Sequence, residues 1–329
     1  MTTPVLSVKD LVVEFPTRNG PLTAISGVSF DLAPGEILGM VGESGAGKSL
    51  TGSAIIGLLD PPGRIASGEI WLQGERIDHL RGNDMRVLRG RRVGMVFQDP
   101  LTSLNPLYTI AEQLIETIKE HLKIPTTDAR KRAISLLDDV GIPAASRRID
   151  DYPHQFSGGM RQRVVIALAL AAEPALVIAD EPTTALDVSV QAQIIDVLKE
   201  QCSQRGASIM LITHDMGVIA ETADRVAVMY AGRIAEIGPV KDIIQNAMHP
   251  YTAGLMGSIP SLTQEEDRLI QIPGAMPRLA AMPAGCAFHP RCERVFDQCA
   301  TKQPQLMTVE THEVSCWLYS DTKAGITNP

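Results

Sequence analysis

The chain has 329 residues, 44% hydrophobic and 21% charged, which is long enough for about two domains with their own cores. Its formal net charge of −8 argues against a nucleic-acid-binding surface, because neutralising phosphates requires an excess of Lys and Arg. The first ten residues do not resemble a secretory signal, and the longest apolar run, at 164–172, is too short to span a membrane.

The predicted elements alternate between strands and helices after two β-rich stretches at the start of the chain. Strands are predicted at residues 5–15, 22–32, 37–41, 69–72, 75–77, 92–97, 175–179, 208–212, 225–230 and 233–237. Helices are predicted at residues 48–59, within 109–140, and at 158–172 and 190–204. This alternation predicts a mostly parallel α/β core. From about Met256 onward Pro and Cys are frequent and the periodicity fades, which predicts a separate tail.

Residues 42–49 carry the strongest chemical pattern of the chain. Their sequence, GESGAGKS, matches G-x-x-x-x-G-K-[ST] between a predicted strand and a predicted helix. The glycines let several backbone N–H groups point at one anion, Lys48 adds a charged donor, and the Ser49 hydroxyl suits Mg²⁺. The pattern predicts a nucleotide-binding loop that consists of Gly42, Glu43, Ser44, Gly45, Ala46, Gly47, Lys48 and Ser49.

Two further groups of residues suit phosphate chemistry. Asp180 and Glu181 follow the apolar strand at 175–179, where Asp180 can hold Mg²⁺ opposite Ser49 and Glu181 can polarise an attacking water. Ser157-Gly158-Gly159 opens a helix, and the N-terminus of a helix favours an anion.

In combination these motifs resemble the ATPase subunits of ATP-binding cassette (ABC) transporters. Their order and approximate spacing agree over essentially the whole chain: the phosphate loop, Gln98, Ser157–Met160, Asp180-Glu181, Leu186-Asp187 and His214. Three segments resemble the dipeptide and oligopeptide importers in particular, namely QDPLTSLNPLYT at 98–109, FSGGMRQR at 156–163 and HPYT at 249–252. Met160 departs from the Gln of many cassettes, but Met is common in the peptide branch.

The resemblance implies a fold and a division into domains. The expected fold is a P-loop NTPase (RecA-like) α/β parallel-sheet core with an N-terminal antiparallel β subdomain, an inserted α-helical subdomain and a small Cys-containing tail domain. Residues 1–257 would form the nucleotide-binding domain, with the helical subdomain at about 104–172. Residues 258–329 would form a C-terminal domain of the oligopeptide-transporter type.

The resemblance also implies roles for single residues. Two cassettes would pack head to tail, so that ATP lies between the phosphate loop of one and Ser157, Gly158, Gly159 and Met160 of the other. Catalysis would use Glu181, with His214 on the γ-phosphate and with Gln98, which would touch the metal and sense the permease. Mg²⁺ would be held by Ser49, Gln98 and Asp180. Asp187 would lie at the dimer seam, and Phe15 would stack on the adenine.

Four of the five cysteines crowd into the tail, with the spacing C-x₅-C-x₆-C-x₁₆-C. They favour a soft metal over disulfides in a chain without a secretory signal. The resemblance to importers with similar tails (GC-x-F-x-PRC at 285–292) implies a [4Fe–4S] cluster on Cys286, Cys292, Cys299 and Cys316. Zinc and unligated thiols stay open as alternatives. Cys202 continues an apolar helical stripe, so we expect it in the core.

The predicted function is that of a peripheral ATPase on the cytoplasmic face of the cell membrane, where it energises the import of dipeptides or oligopeptides. The expected partners are two transmembrane permease subunits, a related second cassette subunit that completes a heterodimer, and an extracytoplasmic substrate-binding protein. Nickel complexes or glutathione are alternative substrates. The alternative functions are a soluble cassette ATPase that acts on nucleic acid or ribosomes and a P-loop kinase. A kinase would leave residues 157–163 and the acidic pair unexplained.

Overall fold

The computed structural model describes residues 3–184, 186–257 and 272–324. The strands are β1 Leu6–Thr17, β2 Gly20–Leu32, β3 Ile37–Val41, β4 Arg64–Leu72, β5 Glu75–Arg76, β6 Val93–Val96, β7 Leu176–Asp180, β8 Ser208–Ile212, β9 Arg225–Tyr230, β10 Arg233–Pro239, β11 Met307–Val309 and β12 His312–Val314. Residues 258–271 and 325–329 of the predicted tail domain lie outside the described residues.

The helices alternate with these strands through most of the chain. They are α1 Lys48–Ile55, α2 Gly82–Leu88, α3 Pro100–Ser103, α4 Ile110–Leu122, α5 Thr126–Asp139, α6 Ala145–Arg148, α7 Gly158–Leu170, α8 Val188–Arg205, α9 Met216–Thr222, α10 Val240–Gln245, α11 Pro250–Met256 and α12 Asp297–Thr301. Short 3₁₀ helices lie at Pro153–Gln155, Leu279–Ala281, His289–Arg291 and Trp317–Ala324. In the described part of the chain, no helix has both the length and the apolar character needed to cross a bilayer.

The described residues divide into two compact units. The first comprises residues 1–7, 31–37 and 71–212. Its strands β6, β7 and β8 are parallel and adjacent in that order, with Val93 opposite Leu176 and Leu176 opposite Ser208. Every residue of β7 and β8 is buried, as the continuous apolar runs predict for parallel strands covered on both faces. Because the strands are parallel, their carboxyl ends meet at one edge, where Asp180 ends β7.

The helices α4 and α5 of the first unit occupy the predicted helical stretch at 109–140 as two helices. The Thr109 hydroxyl accepts from the N–H of Glu112, and the Glu112 carboxylate accepts from the N–H of Thr109, so α4 begins with a reciprocal cap. α4 ends at Lys123, whose φ of 50° is left-handed, and Pro125 precedes α5. These two residues explain the interruption that periodicity alone did not reveal.

The second unit comprises residues 8–30, 38–70 and 213–329. In it β3 pairs in parallel with β9, and β10 continues the sheet antiparallel to β9. The tail adds a hairpin to this sheet, because β12 pairs with β10 through Glu236 opposite Val314, and β11 pairs with β12. Pairing of the tail with β10 was not anticipated from the sequence, in which β11 and β12 are only three residues long.

Two element boundaries differ from the prediction by more than three residues. α1 ends at Ile55 rather than near Leu59, because Gly57 adopts a left-handed φ of 64° and its N–H bonds to the carbonyl of Ala54. β4 begins at Arg64, five residues before the predicted start of that strand.

Candidate nucleotide-binding and hydrolysis site

The phosphate loop connects β3 to α1, and two of its glycines are required by the space around them. Gly42 has a φ of 149°, and a Cβ at this residue would lie 2.2 Å from the carbonyl oxygen of Met229. Gly47 has a φ of 104°, and its Cβ would lie 2.5 Å from Cδ1 of Ile25. A side chain at either position would clash, so the loop depends on glycine at the places that the pattern fixes.

Lys48 is the first residue of α1 and is only 5% exposed. Its Nζ donates to the carbonyl oxygen of Gly42 at 2.8 Å and to that of Glu43 at 3.2 Å. The ammonium group is therefore held against the loop backbone, as the phosphate-loop pattern requires of a lysine that meets an anion. Ser49 is exposed, and its hydroxyl is an oxygen ligand of the kind that Mg²⁺ takes.

At the carboxyl edge of the first unit, the structure brings Gln98 and Glu181 together. Asp180 is buried at the end of β7, with 9% of its surface exposed. The Glu181 carboxylate accepts from the Thr184 hydroxyl at 2.8 Å and from Nε2 of Gln98 at 3.4 Å. Both partners hold the carboxylate in one orientation. This arrangement suits a group that accepts a proton from water.

The backbone at Glu181 is also unusual. Its φ is 45°, in the left-handed region that residues other than glycine rarely adopt. The N–H of Glu181 donates to the carbonyl of Ile212 at 2.8 Å, which keeps this conformation in place. Strained residues cluster at functional sites, where the surrounding structure fixes them.

Residues 157–160, which are predicted to contact the ATP of a partner cassette, lie at the start of α7. The Ser157 hydroxyl accepts from the N–H of Met160 at 3.4 Å, so Ser157 caps the helix, while Ser157 and Gly158 are both exposed. A Cβ at Gly159 would lie 2.8 Å from Cγ1 of Val190, so close packing against α8 requires glycine there. The helix α7 has 13 residues. The first N–H groups of a helix have no acceptor within it, so the exposed start of α7 can offer such donors to a ligand.

Arg148 supports the segment that precedes Ser157. Its guanidinium lies 4.4 Å from the ring centroid of the buried Phe156, and its Nη2 donates to the carbonyl of Gln155 at 2.9 Å. Sequence patterns did not single out Arg148, because an arginine in a short polar helix has many ordinary explanations.

Three further predicted residues lie on or beside β1, α8 and α9. Asp187 is exposed at the start of α8, and His214 is exposed between β8 and α9. Phe15 is half-buried near the end of β1. Its ring lies close to Gly63, since a Cβ added at Gly63 would be 2.9 Å from the ring.

The tail brings its four cysteines to one cavity. Cys286, Cys292, Cys299 and Cys316 all line a small cavity of about 20 Å³, and all are free thiols. Burial, together with the charges of the neighbouring thiols, raises the pKa of Cys316 to about 11. Burial likewise raises the pKa of Cys286 and of Cys292. A positive centre in the cavity would oppose these shifts.

Within residues 3–184, 186–257 and 272–324, no group of three or more His, Cys, Asp and Glu side chains is arranged to hold a metal ion. Cys202 is fully buried, as expected for the core.

Two known family models match this chain. The family model described as ABC transporter matches residues 25–184. The model described as oligopeptide/dipeptide transporter, C-terminal region, matches residues 235–299. The dipeptide transport ATP-binding protein DppD of Bacillus subtilis is 49% identical over 316 residues, which cover 95% of this chain and 94% of that protein. The chain belongs to the ABC transporter family.

Other relatives of this ABC transporter family member differ in length. The oligopeptide transport ATP-binding protein OppD of Bacillus subtilis is 49% identical over 319 residues, with 96% of this chain and 89% of that protein covered. OppD of Mycobacterium tuberculosis is also 49% identical, over 316 residues and 95% of this chain. The chain spans about half the length of that mycobacterial relative, 52% of it.

Solved cassettes share the fold of this ABC transporter family member. A dimeric structure of the ATP-binding cassette MJ0796, in a post-hydrolysis state with ADP and Pi, matches with a TM-score of 0.64 and 26% identity over 71% of this chain and 98% of that one. The cbiO1 protein of Clostridium perfringens matches with a TM-score of 0.63 and 29% identity over 74% of this chain and 91% of that one. These matches confirm the predicted P-loop NTPase α/β fold.

The structure adds two residues to the phosphate-loop region that the sequence did not assign to it. Tyr251 belongs to the HPYT segment, and Arg291 lies between two of the tail cysteines. Both contact Glu43. Glu43 and Arg291 are 248 residues apart, and no local pattern connects residues at that separation.

Proposed function

We propose that the chain is the ATP-binding and ATP-hydrolysing subunit of an ABC importer that takes up dipeptides or oligopeptides. The observation that carries the proposal is the phosphate loop of the second unit, with Lys48 held against its backbone. Within the first unit, the Glu181 carboxylate is oriented by Gln98 and Thr184, which supports hydrolysis. Membership of the ABC transporter family supports ATP as the substrate. The names of the Bacillus relatives support peptides as the transported cargo.

Each step of hydrolysis has a residue suited to it. Lys48 and the loop N–H groups balance the negative charge of the terminal phosphates. The Glu181 carboxylate accepts a proton while a water oxygen bonds to the γ-phosphorus and the bond to the ADP oxygen breaks. His214 donates to the γ-phosphate. Phe15 stacks on the adenine.

Mg²⁺ fits the oxygen donors of this chain. Asp180 offers a carboxylate, Ser49 a hydroxyl and Gln98 an amide oxygen, all ligands that Mg²⁺ accepts. When bound, Mg²⁺ offsets charge on the phosphates.

A second cassette completes the site in this proposal. Ser157 and Gly158 are exposed at the start of α7, where a partner's nucleotide can reach them, and Asp187 lies exposed for the dimer seam. The partner is a related cassette subunit, and ATP binds between the phosphate loop of one subunit and residues 157–160 of the other.

Docking on permease subunits is supported by apolar side chains that follow Gln98. Leu101 is 62% exposed, Leu107 81% and Tyr108 50%, and large apolar groups exposed together favour a protein contact. We place the protein at the cytoplasmic face of the membrane, with two permease subunits and a substrate-binding protein. Residues 1–257 serve as the cassette, with its helical subdomain at about 104–172, and residues 258–329 as the tail domain.

The test separates binding from hydrolysis. Glu181→Gln keeps the shape of the side chain but removes the base, so ATP binding should persist while turnover falls by about 10²- to 10⁴-fold. Glu200→Gln removes an exposed carboxylate on α8 and should hydrolyse ATP like the wild type. Hydrolysis by Glu181→Gln at the wild-type rate would exclude Glu181 from the mechanism.

Transport is tested with the assembled complex. Subunits recovered with this chain in mild detergent are reconstituted into vesicles, and ATP hydrolysis is measured with added dipeptides, longer peptides, nickel complexes or glutathione. Stimulation and uptake of peptides are expected. Recovery with ribosomes or nucleic acid, without membrane subunits, would contradict the importer.

For the tail we propose a [4Fe–4S] cluster on Cys286, Cys292, Cys299 and Cys316. All four thiols line one cavity, and burial raises the pKa values of Cys286, Cys292 and Cys316. A bound cluster would cross-link these segments of the tail and carry one electron.

Anaerobic purification tests the cluster. Broad absorbance near ~400 nm, with iron and acid-labile sulfide, is expected of the wild type and of Cys202→Ser. Cys299→Ser should lose all three. A colourless wild-type protein that contains zinc, or no metal, would contradict the proposal.

A further inference from the structure

Glu43, the second residue of the phosphate loop, is held by contacts from three directions. Its carbonyl oxygen accepts from Nζ of Lys48 at 3.2 Å. Its N–H donates to the Tyr251 hydroxyl at 2.9 Å. Its carboxylate accepts from Nη1 of Arg291 at 3.0 Å. The last two partners come from the HPYT segment and from the cysteine-bearing tail.

Arg291 is itself tightly fixed. Its side chain is only 7% exposed. Its Nε donates to the carbonyl of Pro273 at 2.9 Å, and Nη1 also donates to the Tyr230 hydroxyl at 3.3 Å. A buried guanidinium with several protein partners has one orientation, and the Glu43 carboxylate supplies the opposite charge.

An aromatic cluster supports both contacts. The Phe288 ring lies 5.2 Å from that of Tyr230 and 5.4 Å from that of Tyr251, centroid to centroid. Tyr251 is fully buried. Phe288 and Arg291 both belong to residues 286–292, the turn that carries two of the cavity cysteines. The tail thus reaches the phosphate loop through a packed, rigid group of side chains.

We infer that Arg291 and Tyr251 are positioning residues that hold the phosphate loop, through Glu43, in the conformation that receives the nucleotide. Neither residue touches the phosphates in this inference. They act by limiting the conformations of the loop, and a loop already ordered loses less entropy when it binds a ligand. The inference rests on the proposed nucleotide binding and assigns the tail a part in it.

The experiment measures ATP affinity of the full-length protein with a fluorescent ATP analogue, together with kcat and KM. Arg291→Met keeps an apolar stem of similar length but removes the charge, and the dissociation constant should rise about three- to tenfold. Tyr251→Phe removes the acceptor for the Glu43 N–H and should act in the same direction. At saturating ATP, kcat should stay within about twofold of the wild type, because the hydrolytic groups are untouched.

Matched variants exclude a purely structural effect. Arg278→Met removes an exposed arginine of the same tail and should leave affinity unchanged. Glu43→Gln and Arg291→Met should weaken binding to a similar degree, and the double variant no further, because both break one contact. Arg291→Lys should restore part of the affinity.

Three outcomes decide the inference. Weaker ATP binding in Arg291→Met but not in Arg278→Met supports it. Unchanged affinity with only a lower melting temperature overturns it and leaves Arg291 a structural residue. A wild-type protein that binds no ATP overturns the proposed function instead, so the two failures are distinguishable.

Discussion

The phosphate loop and the four-cysteine cavity of the tail are built in opposite ways. The loop is eight consecutive residues, and its function comes from backbone N–H groups that glycine allows to converge. The cavity collects its four cysteines from residues 286–316, and the spacing between them follows no period. The geometry of a site made from contiguous backbone can be predicted from the sequence. For a site made from scattered side chains, the sequence reveals only which residue types take part.

The largest effect is expected from a side chain introduced at Gly42. Gly42→Ala places a Cβ 2.2 Å from a backbone oxygen at a φ of 149°, and neither group can move aside. We expect a loss of about 3 kcal/mol or more in the free energy of unfolding, and loss of ATP binding. Thermal unfolding and ATP titration measure both.

Gly74→Ala is the matched control for that prediction. Gly74 also has a positive φ, 81°, but nothing lies within 4 Å of its Cβ position. Gly74→Ala should lower the free energy of unfolding by only about 1 kcal/mol, because it introduces backbone strain alone. Equal melting temperatures for the two variants would show that the space around Gly42 does not constrain the loop.

A smaller effect is expected at Lys48. Lys48→Ala removes a charge-assisted contact worth roughly 1.5–3 kcal/mol, so the dissociation constant for ATP should rise about ten- to hundredfold. Lys199→Ala removes an exposed lysine on α8 and should bind ATP normally. If both variants bound ATP equally, the loop would act through its backbone alone.

The smallest effect is expected at Cys202, which belongs to neither region. Burial raises the pKa of this thiol from 9.0 to about 12. Above pH 9 the unfolded chain therefore releases the proton while the folded chain retains it, so stability falls as pH rises from 9 toward 12. Between pH 8 and pH 10 the ionisation of this thiol lowers the free energy of unfolding by about 1 kcal/mol.

Urea unfolding at the two pH values tests this prediction, with Cys202→Ala as the comparison. The variant should lose less stability than the wild type between pH 8 and pH 10 and should keep its ATP affinity. An identical pH dependence in both proteins would mean that the thiol ionises in the folded state as easily as in the unfolded one.

Sequence patterns were sufficient where neighbouring residues determine the structure. The strand β7 and the start of α7 near Gly158 were both anticipated, because apolar runs and the patterns that open a helix act over a few positions. Patterns were insufficient at Lys123, where a left-handed residue ends α4, and at β12, whose three residues become a strand only by pairing with β10. The contact of Arg291 with Glu43 depends on the folded chain as a whole.

The turn at residues 286–292 has a consequence for how the protein can diverge. Its ends carry Cys286 and Cys292. Between them, Phe288 packs against Tyr230 and Arg291 binds Glu43. An insertion or deletion in this interval would separate the guanidinium from its carboxylate even if both sulfur atoms were dispensable. We therefore expect descendants that replace all four cysteines to retain the length of the interval.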